Sequence, residues 1–210
     1  HAAVAELVDL VLKYPIECGP KLQTMFDHLT LRMADGNSKV LLLALSSLER
    51  MVPVLKDSLE VVLNTLIPVL SQQIGSANAS VRNTTMKVLD SLIDNVDNTS
   101  LVQYFANVIA FGNPRAKAAM VEKTAAIVPT VYRQKPQLIT KHVLPRAVRL
   151  VEDPDGAMRT ACTSLLLALA AELGVKGLEA TDMTDDQRRR VMAAVQGNAG
   201  YHRTQPLRSA

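Results

Sequence analysis

The chain repeats one pattern at a spacing of about forty residues, and such a repeat restricts the folds open to it. The unit is clearest from residue 135 to 174: an apolar run carrying Pro145, a short turn of Asp, Pro and Gly, and a second apolar run with Arg159 near its start. In the first run Val143, Leu144, Ala147, Val148 and Val151 form one broad stripe at the 3.6-residue period of a helix. Asp153 with Pro154, then Asp155 with Gly156, break that helix, and a side-chain cap followed by proline is how a new one starts. The second helix is expected to reach Gly174, where the missing Cβ suits a left-handed C-terminal cap. Each stripe is wider than a single neighbour can bury. The unit therefore needs copies of itself alongside.

Those copies are present. Leu22, Met25, Phe26, Leu29 and Met33, then Leu41, Ala44, Leu45, Leu48, Val52 and Leu55, form a pair of stripes around the turn ADGNS. Leu59, Val62, Leu63, Leu66, Ile67 and Leu70 open a second pair, which turns through residues 75 to 80 and returns over 81 to 96. Asp57 with Glu60 reads as a capping box at its start. A third pair runs from 99 to about 110, turns through FGNPR and continues from 116 to about 132. Residues 2 to 14 read as the second half of a further repeat. The turns begin near Ala34, Gly75, Phe111 and Glu152, at spacings of 41, 36 and 41 residues. Pro68 precedes Arg82 by 14 residues and Pro145 precedes Arg159 by 14, so both prolines hold one place in the unit, where they should kink the first helix. Helix pairs at this period indicate HEAT or armadillo repeats.

The expected fold is all-α: a solenoid of about five to six helix pairs, without strands, over residues 1 to 174. Residues 175 to 196 read as a linker and a short helix capped by Thr184 and Gln187, and 197 to 210 as a disordered tail. A hydrophobic fraction of 48% with 3% aromatics and no Trp implies a core of Leu, Val, Ile, Ala and Met, suited to many thin helix contacts. Cys18 and Cys162 are too far apart for a metal or redox motif, and read as buried thiols in a reducing compartment. Polar residues interrupt the apolar runs before the ~20 residues needed to span a bilayer, so no membrane association is expected.

No catalytic constellation emerges: HExxH, a Walker-type glycine loop and GxSxG are all missing, and no cofactor or metal site is implied. His28 and His142 read as surface histidines, and Arg188, Arg189 and Arg190 as a solvated helix face. A net charge of +3 with few stacking aromatics argues against nucleic-acid binding. The turns carry the functional signal. Each second helix carries a basic residue in its first turn or two: Lys39, Arg82, Arg115 with Lys117, and Arg159. Equivalent turns of a solenoid stack along one edge, so these side chains should line one rim. A purely structural role would pair them with acids of the turns, Asp153 or Asp155 for Arg159 and Asp35 for Lys39; the FGNPR turn holds no acid for Arg115 and Lys117.

LIPVL with Pro68, SVR at Ser80 to Arg82, VLP with Pro145 and the DPDGAMR turn resemble HEAT repeats arranged as the compact paddle of a TOG domain. FGNPRAKAAMVEK, YRQKPQLITKHVLP and GAMRTACTSLLLALAAELG are most similar to the C-terminal TOG domain of the crescerin family, the TOG-array regulators of axonemal microtubules. The resemblance implies a non-enzymatic, monomeric module of the cytoplasm and cytoskeleton, at the ciliary axoneme or basal body. It would bind αβ-tubulin or microtubules through the intra-repeat turns, at Asn37, Ser38, Lys39, Ser80, Arg82, Asn113, Arg115, Lys117, Asp155 and Arg159. The family pattern also puts a tryptophan in the first turn, and this chain has none. The alternative is a scaffold for another ciliary or cytoskeletal protein.

Overall fold

The computed structural model describes residues 2–202, with side chains placed for residues 4–197. The described residues are all helical or turn, without a strand. Helix α1 (Ala2–Lys13) is followed by four pairs. These are α2 (Leu22–Met33) with α3 (Ser38–Leu55), α4 (Leu63–Ile74) with α5 (Ala79–Asn95), α6 (Asn98–Phe111) with α7 (Pro114–Gln134), and α8 (Leu144–Leu150) with α9 (Gly156–Glu179); α10 (Asp185–His202) follows. Short turns force the members of each pair to run in opposite directions. The first helices α2, α4, α6 and α8 pack in series as one layer, and α1, α3, α5, α7 and α9 as the other. This is a two-layer α-solenoid.

Between the layers lies the core that the apolar stripes require. Phe26, Leu45, Leu48, Leu63, Leu66, Phe105, Val128 and Leu165 are fully or almost fully buried within it. Of the stripe residues named from sequence, Met25 and Val151 alone are only half-buried.

Pro68 and Pro145 both lie in first helices, in different local settings. In the second pair a 3-10 segment, Lys56–Val62, leads into α4, which runs on through Pro68. In the fourth pair a π-helical turn, Ile139–Val143, precedes Pro145. Proline cannot donate to the helix ladder, and at Pro145 the widened turn just ahead takes up the interrupted register.

Asp57 does not form a capping box. Its carboxylate accepts the backbone N–H of Asp97, 40 residues on, at 2.8 Å. Asp97 in turn caps α6 and accepts the Thr99 hydroxyl, and Lys135 Nζ donates to that hydroxyl oxygen at 3.1 Å. The edge opposite the intra-repeat turns is thereby tied together across three pairs. Asp57→Ala should cost about 0.5–1.5 kcal/mol, the net worth of one such bond. A denaturation midpoint unchanged from wild type would contradict this link.

The C-terminal part departs from the sequence reading. Gly174 has the positive φ expected of it, 72°, but with ψ at 163° it kinks the chain, and helix resumes to Glu179. Leu178 on that extension, with Val191 and Val195 on α10, is buried in the same core, so residues 175 to 196 pack on the solenoid as part of it. Thr184 and Gln187 do cap each other reciprocally, as expected. Residues 197 to 202 continue α10 where a disordered tail was expected; 203 to 210 lie outside the described residues. Helix α9 has 24 residues and includes an 18-residue stretch with a mean hydropathy of 1.5, so by length and composition it is apolar enough to cross a membrane, although polar residues interrupt its apolar runs. In this fold it lies against α7, with Ala161, Cys162, Leu165 and Leu169 buried.

Both cysteines are free and buried. The Cys162 thiol donates to the Ala147 carbonyl at 3.6 Å, and burial, followed by the charge of Asp153, pushes its pKa up to about 12. A raised thiol pKa contributes stability below the unfolded value of about 8.5, and that contribution fades as pH climbs from there towards 12. At pH 8 Cys162 should resist thiol reagents in the folded protein and react on denaturation. Labelling at the same rate in both states would show that the site is open.

Candidate functional site

The four intra-repeat turns lie on one edge, and each is built around an Asx cap. Asn37 Oδ1 accepts the N–H of Lys39 at 2.9 Å, and Asn78 Oδ1 those of Ser80 and Val81 at 2.9 and 3.4 Å. Asn113 Oδ1 accepts the N–H of Arg115 at 3.0 Å, and Asp155 Oδ1 that of Met158 at 3.0 Å. The caps are 41, 35 and 42 residues apart, so they mark the repeat better than the turn starts do. Asn78 was not among the residues named from sequence. The expected cap-then-proline start holds at Asn113 and Pro114. At the fourth turn the cap is Asp155, while Asp153 accepts the N–H of Asp155 at 2.9 Å and shapes the approach.

Counting from these caps sorts the basic residues into two equivalent positions. Lys39 and Arg115 lie two residues after a cap, Arg82, Lys117 and Arg159 four after. Arg82 folds back on its own turn, Nη1 donating to the carbonyls of Ser76 at 2.7 Å and Ala77 at 2.9 Å. Arg159 does the same to the Pro154 carbonyl. The expected pairing of Arg159 with Asp153 or Asp155 is not what forms: those carboxylates are turned to backbone N–H groups, and the guanidinium takes the carbonyl left exposed by the turn. Asp35 likewise pairs with Arg32 at 3.7 Å instead of Lys39. Arg82 and Arg159 therefore hold turns in shape.

The side chains of Lys39, Arg115 and Lys117 make no ion pair among the described residues. Lys39 and Arg115 are exposed, as are Asn37, Ser38, Ser80 and Asp155, while Asn113 and Lys117 are half-buried. The second and third turns touch: a Cβ on Gly75 would lie 2.7 Å from Asn113 Nδ2 and 3.4 Å from Arg115 Cβ. Any larger residue at 75 would force the Asn113 side-chain amide to shift.

Phe111, the last residue of α6, is 85% exposed at the third turn. It stands between a cleft of about 600 Å³ towards α4, which also takes in Pro68, Tyr104 and Asn113, and one of about 380 Å³ towards α8. Sequence reasoning used this residue only to mark where the FGNPR turn begins, and weighed the basic side chains of the turn instead.

Away from the rim, Arg189 and Arg190 both pair with Asp186, whose carboxyl is held below its usual range first by the hydrogen bond from Arg190. Arg188 donates to the Glu179 carbonyl. Among the described residues no group of three or more His, Cys, Asp or Glu is placed to hold a metal ion.

No family model matches the chain. It is 34% identical over 160 residues, 71% of its length, to human TOG array regulator of axonemal microtubules protein 1, and spans 9% of that protein. A TOG domain solved in work on TOG–tubulin binding specificity superposes with a TM-score of 0.71 at 17% identity, covering 92% of this chain and 74% of the other. A crescerin structure, from a TOG array described as regulating microtubules in the primary cilium, gives 0.71 at 17% identity over 93% of this chain and 83% of its own. The chain is a HEAT-repeat domain of the TOG type, related in sequence to one segment of the TOG array regulators of axonemal microtubules.

Proposed function

We propose that this domain is a non-enzymatic, monomeric microtubule-regulating module that binds αβ-tubulin along the edge formed by its four intra-repeat turns, in the cytoskeleton of the cilium. The observation that carries the reading is the division of labour on that edge. Arg82 and Arg159 are used up in shaping turns, whereas Lys39, Arg115 and Lys117 make no ion pair among the described residues. Tubulin is strongly acidic, and unpaired rim cations of this kind act mainly by steering an acidic surface and fixing its register. The relationship to the axonemal regulators and the fold shared with TOG domains from tubulin and ciliary work point the same way. The candidate contact set is Asn37, Ser38, Lys39, Ser80, Asn113, Arg115 and Lys117, with Arg82, Asp155 and Arg159 holding the turns. Co-elution with purified αβ-tubulin on a size-exclusion column is the first test. The absence of Trp favours a second reading, in which the same edge takes another ciliary or cytoskeletal protein; it requires tubulin and this domain to elute apart.

A further inference from the structure

We infer that the cleft between α6 and α8 is a second binding site, for an extended acidic peptide segment carrying an apolar side chain. It is lined by Lys117, Arg146 and Arg149 beside the apolar Ile109, Pro145 and Leu150, with the exposed Phe111 also bordering it. Among the described residues no carboxylate lines it; the nearest acids along the chain, Glu152 and Asp153, lie in the turn that follows α8. None of the ion pairs among the described residues involves these three cations. Arg146 spends one donor on the His142 carbonyl at 2.6 Å, and its Nε is buried without a partner.

The crowding is felt by the groups themselves. Burial, then Lys141 and Arg146, lower the His142 pKa, and burial, then Arg149, lower that of Arg146. A fold that gathers like charges without compensating acids gains when an anion arrives, and the size of about 380 Å³ suits a few side chains of an extended segment. Apolar side chains set beside cations select a peptide over a bare anion, because a glutamate-rich chain with one aromatic residue can satisfy both. Lys117 is shared with the rim, so the site carries the basic edge onto the first-helix face; it stands whether or not the rim binds tubulin.

The test is fluorescence anisotropy of a fluorescein-labelled glutamate-rich peptide with one central tyrosine, at low ionic strength, on the whole chain. Wild type should bind, and Arg149→Glu should weaken binding by about tenfold or more. Lys39→Glu, on the distant first turn, should leave it within about twofold, and Phe111→Ala should weaken it by about threefold or more. Arg149 is exposed, so its variant should melt as wild type does; Arg149→Gln, which only removes charge, serves as the milder version. The proposal fails if wild type does not bind, if Lys39→Glu loses as much as Arg149→Glu, or if a single-stranded oligonucleotide of equal charge binds at least as tightly as the peptide.

Discussion

Leu63→Ala should lower stability by about 2–5 kcal/mol, and Leu144→Ala by a similar amount. Leu63 opens α4 and is fully buried, and Leu144 opens α8 with only 5% of its surface exposed. Truncating either removes apolar contacts and leaves a cavity that neighbouring helices, fixed by their own repeats, are poorly placed to close. For a domain of this size each kcal/mol corresponds to a melting shift of roughly 2–4 °C. Arg190→Ala provides the contrast. Its side chain is 54% exposed and paired with Asp186 on the surface, so its loss should change stability by less than about 0.5 kcal/mol. Thermal melts of the three variants decide the matter: equal shifts for all would mean that the core does not lie between the two helix layers.

The repeat was legible because amphipathic periodicity and Asx, Pro and Gly turns are local signals. The helix starts at Ser38, Ala79, Pro114 and Gly156 fall within a few residues of where the turns were read. What escaped the sequence depends on partners far along the chain. Asp57 beside Glu60 has the spacing of a capping box, yet its carboxylate finds the Asp97 N–H of the next repeat, a partner that exists only once the helices stack. Val191 and Val195 make too short an apolar stripe to declare a buried helix, and Leu178 follows a glycine that looked like an end. Which basic residues are committed and which are free was also illegible. Arg82 and Lys117 occupy equivalent positions, but only Arg82 has carbonyls of its own turn within reach of its fork. The short FGNP turn offers Lys117 none, and its side chain lies along the α6–α8 cleft.

The largest effect on binding is expected from Arg115→Glu combined with Lys117→Glu. Neither side chain has an ion-pair partner to lose among the described residues, so the melting temperature should stay within a few degrees of wild type. Placing two acids where two cations faced an acidic partner turns attraction into repulsion at the third turn, which lies against the second. Binding to tubulin should fall by about a hundredfold or more, the result of two reversed contacts each worth a kcal/mol or more. Arg159→Glu should behave differently. Losing the bond to the Pro154 carbonyl costs the fourth turn about 1 kcal/mol, so stability and binding should fall together.

The most direct measurement is the equilibrium affinity of the wild-type domain for purified αβ-tubulin across a salt series. A rim that recognises tubulin through exposed cations should bind measurably at low ionic strength and weaken steadily as salt shortens the screening length from about 30 Å at 0.01 M to about 8 Å at 0.15 M. Absence of binding at the lowest salt, with the domain folded by its melting curve, would contradict the central claim and hand the edge to another protein.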